Sequence, residues 1–144
     1  IDVFVAGLGT GGTLMGCSQR LKEHRADIQV VACEPLQGDP VSGLRSLDDG
    51  FVPPILDLAR LDRKLLVENM DAIVMTRRLA SEHGIFAGVS SGAVMHTCAR
   101  VAQKMERGTI VGIICDSGWK YLSAGIWTGE LDVVEETLDN GVFW

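Results

Sequence analysis

Aromatic residues are sparse, at 6% of the 144 positions, and tyrosine occurs once. Proline is limited to Pro35, Pro40, Pro53 and Pro54, so whatever these residues interrupt lies in one short stretch. No apolar run approaches the ~20 residues that cross a bilayer, and no signal-peptide pattern precedes the first apolar segment, so no membrane partner is expected. Basic charge is also short: 13 Lys and Arg stand against 19 Asp and Glu, for a net charge of −6. Without a basic stripe, nucleic acid is not an expected partner, because phosphate contacts dominate that affinity. Cys17, Cys33, Cys98 and Cys115 form no CxxC pair and share no zinc-ligand spacing with His24, His83 or His96. A metal site and a disulfide framework are therefore not expected. The cysteines read as small buried hydrophobes in a reducing, cytoplasmic setting, and the histidines as surface residues.

What is abundant is apolar surface and glycine. Hydrophobic residues make up 47% and glycine fills 17 positions, enough for one domain with a real core and too apolar for a disordered chain. Asp2 to Ala6 reads as a buried strand that begins almost at residue 1. Leu14, Cys17, Ser18 and Leu21 share one face of a helix over 13–25, and Ile28 to Cys33 reads as a second buried strand. Residues 34–54 hold all the prolines and predict a long loop with one helical turn near 42–47. Leu65 to Val67 predicts a brief strand. Asn69 is a candidate cap for a helix through Glu82 that Gly84 ends. Phe86 to Ser90 predicts a short strand or turn, and Ser91 a cap for a helix patterned by Val94, Met95, Cys98, Val101, Ala102 and Met105. Thr109 to Cys115 reads as the last core strand, followed by helices over 121–128 and 131–138. Strands and helices alternating at this spacing predict an α/β domain over 1–144, a three-layer αβα architecture with a largely parallel sheet.

Three turns carry candidate chemistry at the carboxyl ends of strands, where such sheets bind ligands. Gly7-Leu8-Gly9-Thr10-Gly11-Gly12-Thr13 offers backbone amides, two hydroxyls and a helix N-terminus, which suits a phosphate. Gly7, Gly9 and Gly12 also fit the dinucleotide GxGxxG register, with Glu34 about 22 positions on, so an NAD(P)-binding Rossmann domain stays open. No GK[ST] follows, which excludes a P-loop. Gly88-Val89-Ser90-Ser91-Gly92 places two serines at a helix start; it aligns with a nucleophile elbow, but no histidine follows in the required order. Cys115-Asp116-Ser117-Gly118 adds a carboxylate and a hydroxyl, either of which serves equally as a turn former.

These same residues resemble a family. Phe4–Leu14, Glu34-Pro35, Gly84–Ala93 and Asp116-Ser117-Gly118 with Lys120-Tyr121-Leu122-Ser123 are similar, in order and spacing, to cysteine synthases of the pyridoxal-phosphate β-family. The 48–53 stretch and the Phe143-Trp144 tail point to the B-type branch, including enzymes that prefer O-phosphoserine. The resemblance implies that Gly9, Thr10, Gly11, Gly12 and Thr13 hold the cofactor 5′-phosphate. It implies that Ser90 hydrogen-bonds the pyridine nitrogen, with Asp116 and Ser117 also at the cofactor. A hydroxyl at the pyridine nitrogen leaves the ring neutral and favours elimination at Cβ. An activated serine then loses acetate or phosphate, and sulfide adds to give cysteine. Arg45 is a candidate cation for a substrate phosphate. A homodimer is implied, with a sulfur-carrier protein as one form the sulfur donor takes. The family's Schiff-base lysine motif is missing: Lys22, Lys64, Lys104 and Lys120 match none. The chain is accordingly expected to be the C-terminal portion of such an enzyme and inactive alone. A non-catalytic phosphate-ligand-binding module is the remaining alternative.

Overall fold

The structure, a computed structural model, describes residues 1–50 and 52–141; the tail residues and Phe51 of the 48–53 stretch lie outside that range. Four strands form one parallel sheet: β1 (Val3–Gly7), β2 (Gln29–Pro35), β3 (Arg63–Val67) and β4 (Ile110–Gly112), in the order β3-β2-β1-β4. Helices α1 (Gly12–His24), α2 (Asn69–His83), α3 (Val89–Ala102) and α4 (Leu131–Asn140) complete the architecture.

Alternation along the central strands explains the three layers. Phe4, Ala6, Val30 and Ala32 pack with Leu14 and Met15 of α1 on one face. Val3, Val5, Val31 and Cys33 pack with Ala72, Ile73, Ala93 and Val94 of α2 and α3 on the other. Successive side chains of a strand point to opposite faces, so a strand covered on both sides reads as an unbroken apolar run. Fully burying each of the larger side chains among these, the Val, Leu, Ile, Phe and Met, contributes about 1.5–3 kcal/mol.

The chain moves from β1 outward to β2 and β3, then crosses back so that β4 pairs with the other side of β1. That reversal opens a crevice at the carboxyl ends of β1 and β4, where open α/β sheets bind ligands. The crossover runs through α2 and α3, which pack closely because Gly92 has no side chain. A Cβ there would lie 2.1 Å from Thr76 Oγ1 and 2.2 Å from the Ala72 carbonyl oxygen. Gly84 closes α2 at φ 68°, its N–H donating to Ala80 O and that of Ile85 to Leu79 O, the paired bonds of a glycine-terminated helix.

Several local expectations need correction. Asn69 is the first residue of α2, and Glu68 occupies the cap. The buried Asn69 instead ties elements together, its backbone N–H donating to Asp39 and its amide to Asp139. Ser91 lies inside α3, capped by Gly88. The last strand stops at Gly112, and residues beyond Gly118 form a 3-10 helix, Gly118–Ala124, in place of an α-helix over 121–128. The turn near 42–47 forms later, as a 3-10 helix over Leu47–Asp49. Phe86–Ser90 is no strand: Ala87 makes an antiparallel bridge to Ser117, and Val89 and Ser90 already belong to α3.

Candidate functional site

The glycine-rich turn after β1 leads directly into α1. Gly11 takes φ 85°, a left-handed conformation that costs glycine little, and this lets the chain reverse into the helix. No side chain caps α1 and its first turn holds no acidic residue. The first amides of a helix have no intrahelical acceptor. Here they open onto a cavity of about 160 Å³ lined by residues of the glycine turn with Gly43, Leu44, Ser90 and Cys115.

The opposite wall is assembled by stitching two distant turns together. The Gly88 N–H donates to Asp116 O, and the Gly118 N–H to Phe86 O, both at 3.1 Å. Ser91 Oγ accepts the Cys115 N–H at 3.1 Å. These bonds fix the exit of β4 against the start of α3, so Ser90, only 4% exposed, faces the glycine turn beside Cys115. Gly88 is required by this packing, since a Cβ there would sit 2.2 Å from Asp116 Oδ1 and 2.5 Å from Tyr121.

Gly9, Thr10, Gly11, Gly12, Thr13 and Ser90 thus line one cavity. Asp116 points elsewhere: its Oδ2 accepts the Tyr121 hydroxyl at 3.0 Å and lies 3.8 Å from Lys120 Nζ. Burial, then the Asp116 charge and this hydrogen bond, push the tyrosine up to about 12. Ser117 is exposed and engaged through its backbone with Ala87. Arg45 is exposed and outside the cavity lining; its N–H donates to Leu8 O at 2.8 Å.

Two features of this wall escape sequence reasoning. Cys115 is exposed on the cavity wall, contrary to the expectation of a buried residue, because β4 ends three residues earlier. Although the residue as a whole is exposed, partial desolvation of its thiol raises its pKa and the Asp116 carboxylate adds to this, while a hydrogen bond with Ser90 opposes them. The group is therefore a neutral thiol rather than an activated nucleophile. Gly43 and Leu44, from the long loop after β2, are the other addition. Their only sequence signal is a glycine in a proline-bounded loop, and Gly43 takes φ 89° with its Cβ position 3.4 Å from Ser90.

Glu34, the acidic residue of the dinucleotide register, is fully buried and already engaged. Its Oε1 accepts the Leu47 N–H at 2.5 Å and Ser46 Oγ–H at 3.3 Å. Lys64 Nζ lies 2.8 Å from Oε2, an ionic contact outside hydrogen-bond angles. A ribose therefore has no free carboxylate at this strand end.

Residues 1–116 match the family model described as pyridoxal-phosphate dependent enzyme. The chain is 40% identical over 127 residues to cysteine synthase B of Pseudomonas aeruginosa, covering 88% of this chain and 42% of that protein. Among solved structures it superposes on an O-ureido-L-serine synthase with a TM-score of 0.80 at 33% identity, covering 99% of this chain and 45% of the other. It also superposes on the O-acetylserine dependent cystathionine beta-synthase of Helicobacter pylori, with a TM-score of 0.77 at 31% identity, over 88% of this chain and 44% of that one. The chain spans less than half the length of each of these relatives. With two thirds and more of its length matched by one family model, and with that family's α/β fold, the chain belongs to the pyridoxal-phosphate-dependent enzymes.

Proposed function

We propose that this chain forms the half of a cysteine synthase active site that holds the phosphate and ring nitrogen of pyridoxal phosphate. In this reading, the Schiff-base lysine comes from polypeptide outside these 144 residues. The observation that carries the proposal is the uncapped N-terminus of α1, opening onto a cavity with Ser90 on its far wall. The residues fit the group. The Gly12, Thr13 and Leu14 amides and the Thr10 and Thr13 hydroxyls suit a phosphate, and a Cβ at Gly9 or Gly12 would meet nothing closer than 3.9 Å, so glycine keeps this wall open for a ligand.

Bound pyridoxal phosphate supplies an electron sink for elimination at Cβ. This chain's part is to bind and orient. The helix N-terminus and threonines fix the phosphate, and Ser90 offers the ring nitrogen a hydroxyl that leaves it unprotonated. The neutral Cys115 thiol beside it adds no charge. The substrate is an activated serine, O-acetylserine or O-phosphoserine, which loses acetate or phosphate before sulfide adds. Arg45 would act toward a departing phosphate from the loop that also carries Gly43 and Leu44. The assembled enzyme is read as a cytoplasmic homodimer taking sulfur from free sulfide or a sulfur-carrier protein. Among the described residues, no helix is long and apolar enough to cross a membrane.

Fluorescence titration of the chain with pyridoxal phosphate tests this. Saturable binding is expected, competed by inorganic phosphate but not by NAD, with no Schiff-base absorbance band and no cysteine formed. Thr13→Ala should weaken binding by about tenfold or more, the value of one hydrogen bond to a charged group. Competition by NAD as effective as by phosphate would sink the cofactor assignment; a Schiff-base band with cysteine turnover would sink the missing-lysine reading.

A further inference from the structure

Glu34 carries a further role. It sits at the carboxyl end of β2 with no solvent exposure, an unusual place for a carboxylate. Such a group persists in a core only when its charge and lone pairs are met. Two of its partners, Ser46 and Leu47, belong to the long loop after β2, and the third, Lys64, belongs to the neighbouring strand β3.

Elsewhere the loop is held mainly by side-chain packing and scattered single hydrogen bonds. Among its described residues it contains no α-helix and adds no strand to the sheet; near the cavity Val41 and Leu44 pack on the core, and backbone bonds there include Leu44 N–H to Val41 O and Arg45 N–H to Leu8 O at 2.8 Å. Ordering an irregular segment of this kind opposes about 1–2 kcal/mol of backbone entropy per residue. Only Arg45 separates Glu34's contacts at Ser46 and Leu47 from the cavity-lining Gly43 and Leu44. Gly43 abuts Ser90, and Leu44 Cδ2 fills the space where a Cβ on Gly7 would sit.

We propose that Glu34 is a positioning residue for the cofactor site: its buried carboxylate pins the loop at Ser46 and Leu47 so that Gly43 and Leu44 close the cavity wall against Ser90 and the glycine turn. The inference rests on the reading of this cavity as the pyridoxal-phosphate site, and it adds a residue that never touches the ligand. It also explains why an acidic residue stands where a dinucleotide fold would have one, yet serves no ribose.

The test compares wild type with Glu34→Gln and Glu34→Ala. Glutamine keeps an acceptor for the Leu47 N–H and Ser46 hydroxyl; alanine keeps neither. Ile73→Val, buried on the far side of the sheet, controls for general loss of stability. Two quantities are measured under conditions where each variant is folded: affinity for pyridoxal phosphate, and hydrogen exchange of the 44–47 amides without ligand. Alanine is expected to weaken binding at least tenfold and to speed loop exchange. Glutamine should stay within about threefold of wild type, and Ile73→Val should leave affinity unchanged. Faster loop exchange with unchanged affinity in Glu34→Ala would overturn the positioning role, as would a glutamine variant as weak as alanine. If wild type binds no pyridoxal phosphate while its loop amides remain protected by Glu34, the anchor stands and the site assignment falls.

Discussion

Replacing Gly92 by alanine sets two effects of opposite sign against each other, and the structure decides between them. Alanine is the better helix former by about 1 kcal/mol in a helix interior, so propensity alone favours the change. Gly92, however, lies where α3 crosses α2, and the added Cβ would approach Thr76 Oγ1 at 2.1 Å, Ala72 O at 2.2 Å and Thr76 N at 3.0 Å. Two of these three atoms are backbone, and Thr76 Oγ1 is itself held by its hydrogen bond to Ala72 O at 2.8 Å. The helices must therefore separate by more than 1 Å to restore contact distances. Overpacking a closed core costs about 1–3 kcal/mol, and more where backbone must move. Because two of the clashing atoms are backbone, the cost lies at the upper end of that range and the expected balance is a net loss of about 1–2 kcal/mol, read as a lower urea midpoint with unchanged slope. Removing the hydroxyl in a Thr76→Ala, Gly92→Ala pair should recover only part of this, because the Ala72 carbonyl remains in the way. A single variant as stable as wild type would refute the account of why the α2–α3 crossing needs glycine.

Other expectations follow from the same geometry. Gly88→Ala should destabilise by about 1–3 kcal/mol and weaken pyridoxal-phosphate binding, since its Cβ collides with Asp116 and Tyr121 and forces apart the turns that present Ser90; binding and urea titrations check both. Gly11→Ala should cost about 1–2 kcal/mol, the usual penalty of left-handed backbone with a side chain, here at φ 85°. Timed alkylation of the folded chain should label Cys115, the exposed thiol, well before Cys33, which is buried and pushed up to about 12; equal rates would contradict the burial pattern. Burial raises Cys33 and Tyr121 to about 12 and Cys98 to about 11. Each keeps its proton longer in the folded chain than in the unfolded one. Their contribution is thus complete below about pH 9 and is lost as pH rises through 11 to 12. Urea midpoints from pH 8 upward should fall across that window.

Sequence periodicity made β1, α1 and β2 legible because both faces of these strands are covered, leaving unbroken apolar runs such as Val30–Cys33. The same logic misled at β4. Ile110 to Cys115 is as apolar as a core strand, yet the strand ends at Gly112 and the last bond to β1 is from Ile113 N–H to Val5 O, since hydrophobicity signals burial without stating which backbone groups find partners. Asn69 and Ser91 have the chemistry of helix caps, but their side chains are drawn to Asp139 and to the Cys115 N–H, contacts made by residues 70 and 24 positions away. Local propensity cannot anticipate partners at that separation.

The cavity shows the same division between what is local and what is not. Its floor is contiguous in sequence, so the glycines and threonines of residues 7–13 mark a candidate anion site on their own chemistry. Its walls come from residues 43–44, 90 and 115, brought together by a buried carboxylate and by bonds between two turns. Glycine plays a different part in each: at Gly11 it supplies a backbone angle, while at Gly88 and Gly92 it supplies missing volume. Only the first kind is readable from a turn motif; the second depends on what packs above the residue. Substituting the second kind should therefore disturb a site that those glycines do not themselves line, which is why Gly88→Ala is expected to affect ligand binding as well as stability.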